Sequence, residues 1–80
     1  MIEIGQCYRY VGKTASGTYK ELLQVIAPKS EYVWNCLCHN NYEGRFEDKL
    51  REGDMTHDYK MISEREYKKE SILMELGRVG

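Results

Sequence analysis

The densest apolar and aromatic run of the chain is residues 32–39, Tyr-Val-Trp-Asn-Cys-Leu-Cys-His, and it predicts the central strand. Alternation along a strand puts Tyr32, Trp34, Cys36 and Cys38 on one side and Val33, Asn35, Leu37 and His39 on the other. The first set, with its Tyr and Trp, is the one expected to face the core. Earlier in the chain, Tyr8 and Tyr10 alternate with Cys7, Arg9 and Val11, which predicts a first strand over residues 6–11. Residues 12–17, small and polar with a glycine at each end, read as a hairpin loop. A second strand over residues 18–27 carries Tyr19, Leu23 and Val25 on one face and Leu22 and Ile26 on the other. Pro28 is expected to end it, because proline lacks the amide that a ladder needs.

Beyond the central strand, residues 40–44 predict a turn, and residues 45–50 a shorter strand with Phe46 and Leu50. Residues 51–54 read as an exposed loop, with a helical turn as the alternative. Tyr59, Met61 and Ile62 mark a last strand. The most specific local signal follows: Ser63 and Glu66 have the spacing of a capping box, and Ile62 and Tyr67 that of a hydrophobic staple. These start a helix over residues 64–76, with Gly77 as its C-terminal cap. Tyr67, Ile72, Leu73, Met74 and Leu76 gather toward its second half, so its tail is expected to cover an open side of the sheet or to pair with a second copy.

Eighty residues make a single domain, 1–80, with a barrel over residues 2–62 and a helix over residues 63–77. The fold class is mainly β (α+β): a five-stranded antiparallel small barrel closed by a C-terminal helix. A net charge of −1 provides no global field toward nucleic acid or an acidic membrane. No run is long and apolar enough for a membrane span, and the start lacks the pattern of a signal peptide, so a cytoplasmic protein is expected. Three cysteines fit free thiols in a reducing compartment better than a disulfide framework.

Candidate chemistry is sparse. Cys36 and Cys38, with Cys7, His39 and His57 elsewhere, offer soft ligands, but one intervening residue on a strand is not a zinc spacing, so neither metal nor cofactor is expected. Gly12, Lys13 and Thr14 imitate the end of a phosphate loop, yet Cys7 stands where its first glycine belongs and a strand follows. Lys13, Thr14 and Ser16 are therefore read as a solvated hairpin tip rather than an anion site. His39, Cys38 and Asp58 supply the residue types of a nucleophile, a base and an orienter without any encoded geometry, and no enzyme activity is expected.

The strongest compositional bias is seven tyrosines, a residue that offers flat contact area and a polar tip. Between residues 43 and 58, six acidic residues outnumber three basic ones, a mixed surface able to complement a basic partner. Together these predict a partner-binding surface of Tyr8, Tyr10, Tyr42, Glu43, Arg45, Glu47 and Asp48. The alternative is a nucleic-acid-binding barrel in which Arg9, Lys13 and Lys20 hold phosphates while tyrosines stack bases.

The succession of short strands, polar turns, early aromatics and closing helix resembles the SH3-like small barrels. The opening Met-Ile-Glu-Ile-Gly-Gln-Cys-Tyr-Arg-Tyr and the later Asp-Tyr-Lys-Met-Ile-Ser-Glu-Arg-Glu-Tyr-Lys-Lys resemble short phage or prophage proteins. That resemblance implies a non-enzymatic inhibitor or adaptor that blocks a host protein, such as a CRISPR or restriction component, by steric occlusion. It implies no particular contact residues. The expected state is a monomer or a homodimer.

Overall fold

Two periods dictate the architecture: strands with apolar residues on both faces, and one long helix that buries Tyr67 and Met74 against the sheet. The computed structural model describes residues 2–15 and 17–79. Strands β1 (Cys7–Thr14), β2 (Gly17–Ser30), β3 (Val33–Asn40) and β4 (Gly44–Arg51) are followed by helix α1 (Glu52–Asp58), strand β5 (Lys60–Ile62) and helix α2 (Glu64–Val79). The strands form one antiparallel sheet in the order β4-β3-β2-β1-β5. β4 and β5 are its two edges, so the ladder is open and the expected barrel does not close.

The sheet is covered on both faces. On the first, Tyr8, Leu23, Val25, Cys36 and Cys38 form a buried cluster with Ile2 and with Met55 of α1, and Trp34, Phe46, Leu50 and Tyr59 pack around it. On the second, Cys7 and Leu22 meet Tyr67 and Met74 of α2, with Ile62 beside them. Leu22 and Leu23 are adjacent, point to opposite faces and are both fully buried, so β2 is the shared wall of two cores. Each such leucine contributes about 1.5–3 kcal/mol by leaving water.

Several sequence expectations are corrected. The central strand is β2, not the run over residues 32–39, which forms β3 beside it. Tyr32 precedes β3 and is mostly exposed, so Cys36 and Cys38 carry the core face of that strand while Trp34 borders it. β1 extends to Thr14 and Gly17 opens β2, which shortens the predicted loop to residues 15–16, where Ser16 lies outside the described residues. Pro28 does not end β2, which runs to Ser30 with irregularities between Val25 and Ala27 and between Pro28 and Ser30. β1 pairs with β2 only up to Gln24, so beyond Val25 the strand has an unladdered side that tolerates a missing amide.

Residues 52–58 take the helical alternative. The amide of Glu52 donates to the carbonyl of Tyr32 at 2.8 Å, and Met55 drops into the first core. α2 starts where expected, with half of the capping box: Ser63 Oγ accepts from the amide of Glu66 at 3.1 Å and Ser63 O from that of Tyr67 at 3.0 Å, while the Glu66 carboxylate turns to Arg9 instead of back to the cap. Its end differs, since the helix continues through Gly77, which lacks the left-handed backbone of a cap. Its apolar residues divide by helical angle. Tyr67 and Met74, two turns apart, are buried, while Ile72, Leu73 and Leu76 face outward.

Candidate partner-binding surfaces

Past Tyr8, the first face continues as a row of four tyrosines. Tyr59 meets Tyr10 at a centroid separation of 5.6 Å, Tyr10 meets Tyr19 at 6.0 Å, and Tyr19 stacks on Tyr42 at 5.8 Å with 14° between the planes. Strand register brings them together, because Tyr10 lies opposite Glu21 and Tyr19 opposite Gly12. Gly12 is what lets the ring of Tyr10 lie flat along its own strand: an added Cβ would stand 2.7 Å from the Tyr10 hydroxyl oxygen. Tyr42 is placed by its turn, in which Asn40 Oδ1 accepts from the amides of Tyr42 at 2.9 Å and Glu43 at 2.6 Å. Asn41 fixes the same turn to β2 through the amide of Lys20 at 2.9 Å and the carbonyl of Thr18 at 2.8 Å.

Beneath the row lies a buried carboxylate. Glu21 is 8% exposed, and its two oxygens accept from the hydroxyls of Tyr19 and Tyr59. Burial, then the hydrogen bond to this carboxylate and its charge, push both phenols well above their ordinary value. The outcome is a fixed surface of ring faces and edges, with Tyr42 about half exposed and Tyr10, Tyr19 and Tyr59 partly so.

The second face carries charge. Arg9 Nη1 donates to Glu70 Oε2 at 2.7 Å and lies 3.5 Å from Glu66, while Lys20 Nζ donates to Glu70 Oε1 at 3.0 Å. Burial pushes the carboxyl of Glu70 up, but the hydrogen bonds and charges of Arg9 and Lys20 outweigh it and hold the group below the usual carboxylate range. Nearby, the wholly buried His39 has Nδ1 2.7 Å from Ser71 Oγ and Nε2 3.0 Å from Glu75 Oε1. Arg45 Nη2 donates to Ser71 Oγ at 3.3 Å. Serine, histidine and glutamate in sequence suggest a catalytic relay, but Ser71 lies mid-helix, where the surrounding amides serve the helix's own ladder rather than an oxyanion. The contact fastens α2 to β3.

The residues predicted for partner binding divide among these surfaces. Tyr10 and Tyr42 belong to the row, and Glu43 flanks it. Tyr8 is 5% exposed, with its hydroxyl on Gln6 Oε1 at 2.9 Å, so it supports the row from the core instead of forming surface. Along β4, alternation sends Arg45 and Glu47 to the α2 face and Asp48 to the other. Of the alternative phosphate contacts, Arg9 and Lys20 converge on Glu70, whereas Lys13 is exposed in the hairpin. Thr14 turns its hydroxyl to Gly17 O and to Tyr42.

Cys36 and Cys38 lie in the first core and Cys7 in the second. Burial pushes the thiols of Cys36 and Cys38 up to about 11 and about 12, and raises that of Cys7 as well. Asp58 pairs with His57 at 2.8 Å, away from the buried His39, so His39, Cys38 and Asp58 are not assembled. Among the described residues no group of three or more His, Cys, Asp or Glu is placed to hold a metal ion, and no helix is long and apolar enough to cross a membrane.

Sequence reasoning missed Tyr19, Tyr59 and Glu21 as one unit. The signal available was Tyr19 and Glu21 two apart on a strand, on the face shared with Leu23. No family model matches the chain, and no curated protein or solved structure matches it either.

Proposed function

We propose that this chain is a non-enzymatic protein-binding inhibitor or adaptor that acts by steric occlusion, with the row Tyr59-Tyr10-Tyr19-Tyr42 as its principal contact. The observation that carries this reading is the row itself, four rings in sequential contact, anchored by Glu21 and open to solvent at Tyr42. Pre-positioned tyrosines supply large contact area at little further entropy cost, which is what a binding surface needs. Origin in a phage or mobile element, and a host defence or nucleic-acid-processing protein as target, belong to the same proposal and rest on the resemblance of residues 1–10 and 58–69. A likeness to the SH3-like small barrels belongs to the same proposal; the return of β5 past α1 to pair with β1 supports it, although the sheet is open.

The test is a pull-down from host lysate with and without nuclease, using the native chain beside Tyr42→Ala and Glu43→Lys. A stoichiometric protein that survives nuclease and is weakened at least tenfold by these changes supports the reading. Retention unchanged in both variants removes the row as the contact. Recovery of nucleic acid alone would favour the reading built on Arg9, Lys13 and Lys20.

A further inference from the structure

We propose that the outward face of α2 and the pocket beside it form a second docking surface, whose occupant is an acidic segment of a partner protein carrying a large apolar side chain. α2 distributes its charges unevenly between its two sides. Glu66 and Glu70 turn to Arg9, Glu70 also to Lys20, and Glu75 to His39, all on the sheet, while Glu64 is held by Lys68. The helix therefore spends its carboxylates inward or on its own neighbour.

On the opposite side, Arg65, Lys69, Ile72, Leu73 and Leu76 follow at spacings of three and four, which makes one continuous stripe. Ile72, Leu73 and Leu76 are 59%, 57% and 64% exposed, a concentration of apolar surface that a folded chain rarely leaves without use.

Ile72 also forms one wall of a pocket of about 280 Å³ between α2 and the β3–β4 side of the sheet. Leu37 and Tyr67 supply its other apolar walls, and the two charged side chains that line it, Arg45 and Lys68, are both cations. A site of this size holds one large side chain. Lys68 already faces Glu64, so Arg45 is the cation that selects a carboxylate next to that side chain, which its guanidinium can take bidentately. Charge complementarity also decides among occupants. A second copy presenting the same stripe would set Arg65 and Lys69 against like charges if packed parallel and against Leu76 and Ile72 if packed antiparallel, leaving the cations without a counter-charge either way, whereas an acidic segment meets them with opposite ones. An anionic lipid surface would answer the cations but has no use for a concave single-side-chain pocket.

The surface rests on the reading of the chain as protein-binding but lies on the face away from the tyrosine row, so the two separate experimentally. The probe is an acetylated amphipathic helical peptide with a leucine face flanked by glutamates, titrated into the isotope-labelled full chain and followed by amide NMR. Its counterpart with lysines in place of the glutamates, and vesicles of phosphatidylcholine with phosphatidylglycerol, complete the set. The expected result is saturable shifts at residues of the pocket and stripe with the glutamate peptide, weakened at least tenfold in Ile72→Glu and in Arg45→Glu. Both positions are exposed, so unchanged thermal unfolding of the variants verifies the fold. Affinity is expected to be unaffected in Tyr42→Ala. The proposal is overturned if the glutamate peptide fails to bind, if the lysine peptide binds as well, if only vesicles bind, or if neither variant weakens binding. In each of those cases a partner lost on Tyr42→Ala would still leave the tyrosine reading standing.

Discussion

His39 Nδ1 lies 2.7 Å from Ser71 Oγ, and this contact joins the end of β3 to the middle of α2 through a ring wholly removed from water. Ser71→Ala leaves a buried ring nitrogen without that partner and also takes an acceptor from Arg45. The expected loss is about 1–3 kcal/mol, the cost of an unsatisfied buried polar group, measured by urea unfolding. A loss below about 0.5 kcal/mol, within the range of ordinary surface changes, would show that the contact does not fasten the helix.

Glu70 ties two strands to α2 by accepting from both Arg9 and Lys20, and its carboxyl titrates lower folded than unfolded. A depressed acid contributes stability that is fully present above its unfolded value near pH 4.3 and is lost as pH falls through the lower folded value. Glu70→Gln should therefore be less stable than the native chain by about 1–3 kcal/mol at pH 7, with the gap narrowing steadily below pH 4.3. Thermal unfolding of both proteins between neutral and acid pH checks this, and a gap independent of pH would contradict it.

Glu21 keeps two phenols protonated well beyond their ordinary range. In Glu21→Gln the negative charge is gone, so Tyr19 and Tyr59 should ionise at lower pH than in the native chain, still above about 10 because their burial persists. Phenolate absorbance during an alkaline titration reads this directly. If the late-titrating tyrosines are unmoved, the carboxylate is not what organises the row.

Much of this fold could be read from local chemistry. Ser63 announces α2 because a cap is a local event: its hydroxyl and the amide of Glu66 are three residues apart. The alternation in β3 likewise foretells that Cys38 and His39 part company, and they do. What escaped depends on distant partners. Met55 stands between Asp54 and Thr56 with no apolar neighbour in sequence, and only α1 packing on the sheet makes it a core residue. Pro28 reads as a terminator until β1 is seen to leave that side of β2 unladdered. At the candidate site, Tyr10 and Tyr42 were legible as surface aromatics, but Glu21 looked like any strand-borne charge. Its role appears only when Tyr59, 38 residues away, reaches its carboxylate.

The open ladder has one more consequence. β4 ends the sheet with its outer backbone groups unclaimed by any strand, a template onto which another chain's strand can be added. It carries Arg45, Glu47, Asp48, Lys49 and Arg51 along its eight residues, so an incoming strand would have to match or bury that crowd of alternating charges. The other edge, β5, offers only three residues before α2 begins. Crowded charge at one border and shortness at the other thereby work against fibrillar self-addition of the sheet.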